Sequence, residues 1–224
     1  MGGKLFFVGT PIGNLKDITL RALEILSGVD IILAEDKRRT VILLNHYGIK
    51  KELISFNSKN WRKKARFVVD RLKQGKKIAL VTDSGMPGVS DPGGELARIC
   101  WKEGIEMDVI PGPSALTSVV AVSGLIHSSF LFLGFIPRGK KRRKLFRGIK
   151  DSTHPIVFFE SPTRIIETFR DMLNIFGDVD VFVAREMTKV NQEFMKGKLS
   201  EILRELESRE KILGEFTIVV GTIS

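Results

Sequence analysis

Short apolar runs alternate with amphipathic stretches through the first half of the chain. The runs have the length and composition of buried strands, and the stretches between them carry apolar residues at helical spacing. This alternation is typical of a mostly parallel sheet covered by helices. The predicted strands are residues 4–8, 29–34, 53–56, 77–82 and 106–110, and the predicted helices are residues 18–26 with Asp17 as N-cap, 40–47 ending at Gly48, 61–73 ending at Gly75, 95–102 ending at Gly104, and 114–123.

The second half keeps both signals but departs from strict alternation. Residues 192–198 and 215–220 have strand patterns on either side of a helix at 199–208, which indicates some antiparallel pairing. We therefore predict an α/β protein of two α/β domains, an N-terminal domain at residues 1–122 and a C-terminal domain at residues 123–224. The other predicted elements are strands at 130–135, 156–160 and 179–184 and helices at 140–149 and 165–176.

Composition narrows the class of protein. With 224 residues, 43% of them hydrophobic and 28% charged, the chain can bury the core of a globular protein. The single cysteine, Cys100, excludes an intramolecular disulfide and a cysteine-cluster metal site, which fits a cytoplasmic protein. We expect no bound metal, because His46, His127 and His154 show no ligand spacing. We also expect no membrane partner, because no apolar run reaches the ~18 residues of a transmembrane helix, and no signal peptide, because residues 1–4 lead straight into a strand-like run.

Positive charge is concentrated in two segments. The net charge is +10, with ten basic and two acidic residues between positions 36 and 66, and eight basic and no acidic residues between 138 and 150. The rest of the chain is therefore net acidic. Segregated basic patches favour contacts with nucleic-acid phosphates, although solvated helix faces have the same pattern. Trp61 lies inside the first segment and could stack on a base.

Three loops rich in glycine and proline follow predicted strands, at residues 9–15, 82–93 and 111–115. Ligands of open α/β sheets bind beyond the carboxyl ends of the strands, where glycines let the backbone approach them. The sequences GxxxxGK[ST], GxGxxG and GxSxG are absent, which argues against a P-loop nucleotidase, a standard dinucleotide fold and a serine hydrolase. Polar residues also follow strands at 34–38, 158–164 and 184–189. Glu35 and Asp36 fit either an acid–base role or the charge pattern of a helix start.

These segments resemble the tetrapyrrole-methylase-like (class III) methyltransferases, and within them the members that act on ribosomal RNA. The matching sequences run in order through almost the whole chain: TPIGNLKDIT (10–19), AEDKR (34–38), VTDSGMPGVSDPG (81–93), PGPSA (111–115), FFESPTR (158–164), AREMTK (184–189) and GEFTIVV (214–220). The chain departs from the family pattern at Gly9, where the family typically has proline, at Ser84-Gly85-Met86, where it usually has Ala-Gly-Thr or similar, and at Thr163, where it often has histidine.

The resemblance implies a homodimer of two-domain subunits that binds S-adenosylmethionine between its domains. It implies 2′-O-methylation of a cytidine ribose in the decoding region of small-subunit (16S) ribosomal RNA, within the assembled small subunit, and no DNA partner. Carried over by motif, the cofactor contacts are Thr10, Pro11, Ile12, Asp83, Ser84, Gly85, Met86, Ser114, Ala115, Ser161, Pro162, Ala184 and Arg185.

A ribose hydroxyl is a poor nucleophile, so its proton needs an acceptor as the new bond forms. The candidates are Glu35, Asp36, Glu160, Glu186 and Lys189, of which we favour Asp36, Glu160 and Lys189 as catalytic residues. Lys189 would need a lowered pKa, which Arg185 and partial burial could supply. The predicted RNA contacts are Arg38, Arg62, Lys63, Lys64, Lys140, Lys141, Arg142 and Arg143.

Two other functions fit the residues. The same fold could methylate a tetrapyrrole or a protein, although the TPIGN and DSGMP sequences differ from the glycine patterns of the tetrapyrrole enzymes. A non-catalytic RNA-binding factor for ribosome assembly is the alternative from another class, and it would not bind S-adenosylmethionine.

Overall fold

A five-stranded parallel sheet forms the centre of the N-terminal half. In the computed structural model, which describes residues 2–223, its strands follow the order β3-β2-β4-β1-β5. β2 is buried along its whole length, as expected for a parallel sheet covered on both faces. The strands are β1 (Lys4–Val8), β2 (Ile31–Ala34), β3 (Glu52–Ser55), β4 (Lys77–Val81) and β5 (Glu106–Ile110).

Four helices cover this sheet, two on each face. Ala22 and Leu26 of α1 pack with Leu43 and Leu44 of α2 in one core, where α1 is Leu20–Gly28 and α2 is Lys37–His46. The core on the other face contains apolar residues of α3 (Trp61–Lys73) and α4 (Gly93–Lys102), among them the buried Cys100.

The second half contains a mixed five-stranded sheet with the order β6-β7-β10-β8-β9. The β6–β7 pair is parallel and the other three pairs are antiparallel. Helices α6, α7 and α8 pack on one face over a core that includes Phe146, Phe158 and Phe169. The elements are α5 (Ala115–Ser123), β6 (Leu131–Phe135), α6 (Gly139–Ile149), β7 (Ile156–Glu160), α7 (Ile165–Phe176), β8 (Asp180–Arg185), β9 (Glu193–Lys198), α8 (Leu199–Glu207) and β10 (Phe216–Val220).

The chain divides into two compact units between Ser114 and Ala115. This division lies before the predicted boundary at residue 122, because α5 packs against β10 and so belongs to the second unit. The predicted α/β class and the antiparallel pairing in the second half are confirmed. No helix in residues 2–223 is long and apolar enough to cross a membrane.

Three helix starts differ from the prediction by two or three residues, and one of them is α4, which begins at Gly93 rather than at residue 95. The N-cap of α1 is Thr19, whose hydroxyl accepts from Ala22 N at 3.0 Å, whereas Asp17 ends a short 3-10 turn. Helix α2 begins at Lys37 rather than at residue 40, because the Asp36 carboxylate accepts from Arg38 N at 2.9 Å and caps the helix.

Candidate active site

Three glycine-rich loops leave one edge of the N-terminal sheet. The first loop (residues 9–15) follows β1, the second (82–93) follows β4 and the third (111–115) follows β5. These strands are parallel neighbours in the order β4-β1-β5, so their carboxyl ends lie side by side. Thr10 and Gly85 form a short antiparallel bridge, in which Thr10 N donates to Gly85 O at 3.0 Å and Gly85 N donates to Thr10 O at 3.1 Å. The Thr10 hydroxyl donates to the Thr82 carbonyl at 3.1 Å. Direct hydrogen bonds therefore hold the first two loops together.

The first and third loops approach too closely for side chains. A Cβ on Gly9 would lie 2.7 Å from Gly112 Cα and 2.7 Å from Met86 Sδ. Two positions that depart from the family pattern, 9 and 86, are thus neighbours in space. Gly85 has a φ of +85°, which glycine adopts without strain. The predicted cofactor residues of this unit therefore belong to one cluster of loops: Thr10, Pro11, Ile12, Asp83, Ser84, Gly85, Met86 and Ser114.

Carboxylates join the ends of β2 and β4 at the same edge. Glu35 Oε2 accepts from the Thr82 hydroxyl at 2.6 Å and from Asp83 N at 3.4 Å. Asp83 Oδ1 in turn accepts from Asp36 N at 2.9 Å. Burial, together with the charge of Glu35, raises the pKa of Asp83. Arg39 lies within ion-pair distance of Asp83, 3.7 Å between Arg39 Nε and Asp83 Oδ2, so a cation offsets part of the negative charge at this edge.

The second loop is folded around Asp91, a residue that sequence reasoning did not single out. Its carboxylate accepts from Gly88 N at 2.9 Å and from Gly93 N at 2.7 Å. Burial raises the pKa of Asp91 in spite of these two bonds. Aspartate within a Gly- and Pro-rich loop commonly forms turns, and this sequence feature could have indicated the structural role of Asp91.

Asp36 is engaged at the start of α2. Its carboxylate forms a salt bridge with Arg38, 2.6 Å between Asp36 Oδ2 and Arg38 Nη2. The side-chain and backbone hydrogen bonds of Arg38 lower the pKa of Asp36 to about 2. Asp36 is therefore ionised at neutral pH and is a weak base. The predicted RNA residue Arg38 remains exposed while it holds this salt bridge.

The structure corrects the prediction that Glu160 is a base. Glu160 is buried at the end of β7, where it is 1% exposed and both carboxylate oxygens are occupied. Oε1 accepts from Ser161 N at 2.8 Å and pairs with Arg164, and Oε2 accepts from the Thr168 hydroxyl at 2.7 Å. A carboxylate held in this way supports the loop at Ser161 and Pro162 rather than accepting a substrate proton.

Lys189 lies in a strained turn after β8. Its ammonium donates to Glu186 Oε1 at 2.8 Å and to Glu215 Oε2 at 3.0 Å, and Glu186 and Thr188 have φ angles of 51° and 63°. Burial alone would lower the pKa of Lys189, but the two carboxylates outweigh burial and raise it. The expectation of a lowered pKa is therefore wrong, and Lys189 is a cation at neutral pH.

The two predicted cofactor contacts in β8 are held within the sheet. Ala184 is 1% exposed and lies between β9 and β10. The Arg185 guanidinium donates to Leu213 O at 2.6 Å and to Glu193 Oε2 at 3.0 Å. Of the other predicted contacts, Ala115 is the first residue of α5.

Helix α3 carries the first group of predicted RNA residues. The Arg62 guanidinium lies 5.3 Å from the centre of the Trp61 ring, and Lys63 is exposed on the next position. Lys64 is pinned by a hydrogen bond of 2.6 Å from its Nζ to Ser55 O. Arg62 and Lys63 are thus the members of this group that stay open to a partner.

Helix α6 carries the second group, and the structure corrects one member of it. Lys140 and Lys141 are exposed and Arg143 is half-exposed, but Arg142 is fully buried against α7, where it pairs with Asp171. Arg142 therefore does not contact RNA. Its spacing of four from the buried Phe146 places it on the core face, a signal that its charge concealed.

An open groove of about 500 Å³ runs between α6 and α7. Its cations are Arg143, Arg147 and Lys150, which follow the i, i+4, i+7 spacing of one helix face. The carboxylate that lines it, Asp171, is already paired with Arg142. The groove therefore presents positive charge, and it adds Arg147 and Lys150 to the predicted RNA residues.

Within residues 2–223, no three His, Cys, Asp or Glu side chains are grouped to hold a metal ion. Burial raises the pKa of the Cys100 thiol to about 11, so this cysteine is unreactive at neutral pH.

Comparison with solved structures shows the fold. Uroporphyrin-III-C-methyltransferase from Thermus thermophilus superposes with a TM-score of 0.67 at 21% identity, covering 100% of this chain and 94% of that one. The methyltransferase CobJ gives a TM-score of 0.73 at 15% identity, covering 99% and 95%.

Sequence comparison reaches nearer relatives. The chain is 58% identical to the Thermotoga maritima protein named Ribosomal RNA small subunit methyltransferase I, over 98% of each chain. It is 39% identical to the Bacillus subtilis protein of the same name, over 97% of this chain and 75% of that protein. The sequence profile described as Tetrapyrrole (Corrin/Porphyrin) Methylases matches residues 4–203. The chain therefore belongs to the tetrapyrrole (corrin/porphyrin) methylase family.

Proposed function

We propose that this protein transfers a methyl group from S-adenosylmethionine to the ribose 2′-oxygen of a decoding-region cytidine in small-subunit ribosomal RNA. The observation that carries the proposal is that one methylase chain contains two surfaces of different chemistry. One is the glycine-rich edge lined with carboxylates, and the other is the basic groove of α6. The names of the relatives support ribosomal RNA as the substrate.

The residues at the sheet edge fit this cofactor. S-Adenosylmethionine supplies an electrophilic methyl group on a cationic sulfur. The close approach of Gly9 to Gly112 brings the first and third loops together at the strand ends, where an adenosine could bind. Glu35 and Asp83 provide negative charge for the cationic part of the ligand. Thr10, Pro11, Ile12, Ser84, Gly85, Met86, Ser114 and Ala115 would complete the contacts.

Two of the three predicted catalytic residues keep a role in the chemistry. In its ionised form Asp36 can accept a hydrogen bond from the ribose hydroxyl, whose proton would pass to water as the methyl group exchanges its bond to sulfur for a bond to the ribose oxygen and S-adenosylhomocysteine is left. Lys189, kept cationic by Glu186 and Glu215, can bind a phosphate of the RNA. Since the methyl group is already activated, alignment supplies most of the acceleration.

The decisive experiment is methyl transfer from labelled S-adenosylmethionine to three substrates: unmodified small ribosomal subunits, free small-subunit RNA and a non-ribosomal RNA. We expect a single 2′-O-methylcytidine, found mainly in the assembled subunits, after nuclease digestion and mass spectrometry. Binding of the cofactor without methyl transfer to any RNA would contradict RNA as the substrate and favour a tetrapyrrole or a protein as the methyl acceptor. Absence of cofactor binding would favour a non-catalytic assembly factor.

The catalytic assignment has its own test. Asp36→Ala and Lys189→Ala should each lower turnover about 10²-fold while cofactor affinity changes little. Glu210→Ala removes an exposed carboxylate from the same unit as Lys189 and serves as the control. Near-normal turnover in both Asp36→Ala and Lys189→Ala would refute the assignment.

We also propose that the protein works as a homodimer, which the family resemblance implies. Light scattering should give twice the chain mass of 25.1 kDa. A mass of one chain at assay concentrations would contradict this.

A further inference from the structure

The groove between α6 and α7 has one wall of cations. Arg143, Arg147 and Lys150 line it from the side of α6. Arg147 and Lys150 are exposed and form no ion pair within residues 2–223, whereas Arg143 Nη1 lies 3.7 Å from Asp171 Oδ2. Seven residues of helix extend over ~10 Å, so this wall can face several phosphates of one nucleic-acid backbone.

The opposite wall, from α7, presents a side-chain amide. Asn174 follows Asp171 by three residues, and both therefore lie on the same face of the helix. Asn174 is exposed, and its amide has no hydrogen-bond partner within the described part of the chain. An amide donates and accepts hydrogen bonds, as a hydroxyl group does, whereas a phosphate only accepts them. Asn174 therefore matches a hydroxyl group of a ligand that the cations hold by its phosphates.

The groove has no surface on which bases would stack. Its described lining consists of the three cations, Asp171, Asn174 and Ile175, and none of these side chains is an aromatic ring. Proteins that bind single-stranded nucleic acid normally stack the bases on aromatic rings. Double-helical RNA is recognised instead by its shape and through its phosphates and 2′-hydroxyls. The chemistry of the groove thus fits the backbone of an RNA helix.

We propose that the groove binds the sugar–phosphate backbone of double-helical RNA, with Asn174 hydrogen bonded to a ribose 2′-hydroxyl. This inference rests on the proposed function, which assigns small-subunit RNA to the groove, and it adds the form of the RNA and a residue that selects RNA over DNA. The cations can bind either nucleic acid, because both have the same phosphates. The 2′-hydroxyl is the group by which a protein distinguishes RNA from DNA at a given site.

The first experiment compares three probes of one arbitrary sequence: an RNA duplex, the single RNA strand and a DNA duplex. Fluorescence anisotropy at a fixed salt concentration measures the dissociation constant of each probe with the full chain. The wild type should bind the RNA duplex about tenfold more tightly than the single strand. It should bind the RNA duplex about fivefold more tightly than the DNA duplex, which is the effect of one hydrogen bond.

Replacing Arg143, Arg147 and Lys150 with Gln tests whether the groove causes the preference for a duplex. This triple variant should lose about tenfold in affinity for the RNA duplex and less than that for the single strand. Losses of equal size for the two probes would show that the groove does not recognise the helical form of RNA.

Asn174→Ala tests the contact with the 2′-hydroxyl. The preference for the RNA duplex over the DNA duplex should fall from about fivefold towards one. Because the variant removes no charge, the slope of log K against log [salt] should stay that of the wild type. A purely structural role of Asn174 would instead lower the affinity for both duplexes equally. Asn45→Ala is the matched control, since it removes an exposed amide from α2 in the other unit, and it should keep the wild-type preference.

The outcomes separate this inference from the proposed function. If the wild type binds the single strand or the DNA duplex as tightly as the RNA duplex, or if Asn174→Ala keeps the preference for RNA, the inference is refuted and the proposed function stands. The same holds if the wild type binds small-subunit RNA but none of the three probes. If it binds no small-subunit RNA either, the proposed function loses its RNA surface and the inference fails with it.

Discussion

Glycine at position 9 is required by the backbone of a neighbouring loop. A Cβ there would lie 2.7 Å from Gly112 Cα, so Gly9→Ala must push the first and third loops apart. We expect turnover to fall about 10²-fold, since displacements near 1 Å have this effect at binding sites. Gly28→Ala is the control, because nothing lies within 4 Å of a Cβ at that position. Unchanged turnover and S-adenosylhomocysteine affinity in Gly9→Ala would contradict the close approach.

The charge of Asp83 carries an energetic cost. Burial and the Glu35 carboxylate raise the pKa of Asp83 in the folded state, so its ionisation lowers stability as the pH rises through that pKa. Asp83→Asn keeps the acceptor for Asp36 N and removes the charge. The variant should therefore melt at a higher temperature than the wild type at pH 7, with a smaller difference below pH ~3, where the wild-type group is largely protonated in both states.

Cofactor affinity should decrease in Asp83→Asn while stability increases, because the cationic part of the ligand loses a partner.

Asp30→Asn should change stability in the opposite direction to Asp83→Asn. The Lys77 backbone and Lys76 hold the pKa of Asp30 below its ordinary value, so this variant should melt at a lower temperature at pH 7. Melting curves and calorimetric titrations at both pH values test the pair.

At the scale of single elements, the buried Arg142 contributes to the attachment of α6 to α7 through its ion pairs with Asp171 and Glu167. Arg142→Ala leaves Asp171 and Thr168 without their partner, and breaking a buried pair on one side costs about 3–5 kcal/mol. Arg147→Ala on the same helix removes an exposed guanidinium and should change stability by less than about 0.5 kcal/mol. Urea unfolding measures both, and equal effects of the two variants would show that Arg142 does not hold the helix.

The elements were largely predictable from sequence, because apolar spacing and glycine stops are local signals. Helix α3 and strand β5 begin and end where the pattern predicts. The starts of α1 and α2 were missed because side-chain caps decide them, at Thr19 and Asp36, and apolar spacing does not record caps.

The candidate site was predictable in part. Gly- and Pro-rich loops after parallel strands identify the site edge, since parallel strands end together. The protonation states were not predictable, because the partners of Lys189 include Glu215, far along the chain. The burial of Arg142 was not predictable for a related reason. A run of basic residues is normally solvent-exposed, and only the fold shows that Asp171 lies beside this one.

At the scale of the whole molecule, a net charge of +10 predicts salt-sensitive RNA binding. Replacing Arg143, Arg147 and Lys150 with Gln should weaken binding to small-subunit RNA and reduce the slope of log K against log [salt] by about 2–3. Replacing Arg71, Lys73 and Lys76 with Gln removes the same charge from α3 and the segment after it. This control should leave the slope nearly unchanged, and an equal reduction in both triple variants would show that the groove is not the RNA surface.

The position of β10 affects how the protein is made. β10 lies between β7 and β8 in its sheet, although it is the last strand in chain order within residues 2–223, whereas β1 lies between β4 and β5 although it is the first there. During translation, the first sheet can close as soon as β5 leaves the ribosomal tunnel. Until residues 216–220 emerge, the edges of β7 and β8 that pair with β10 have no partner in the second sheet. In that interval, chaperones or rapid synthesis of β10 must prevent these edges from pairing with another chain.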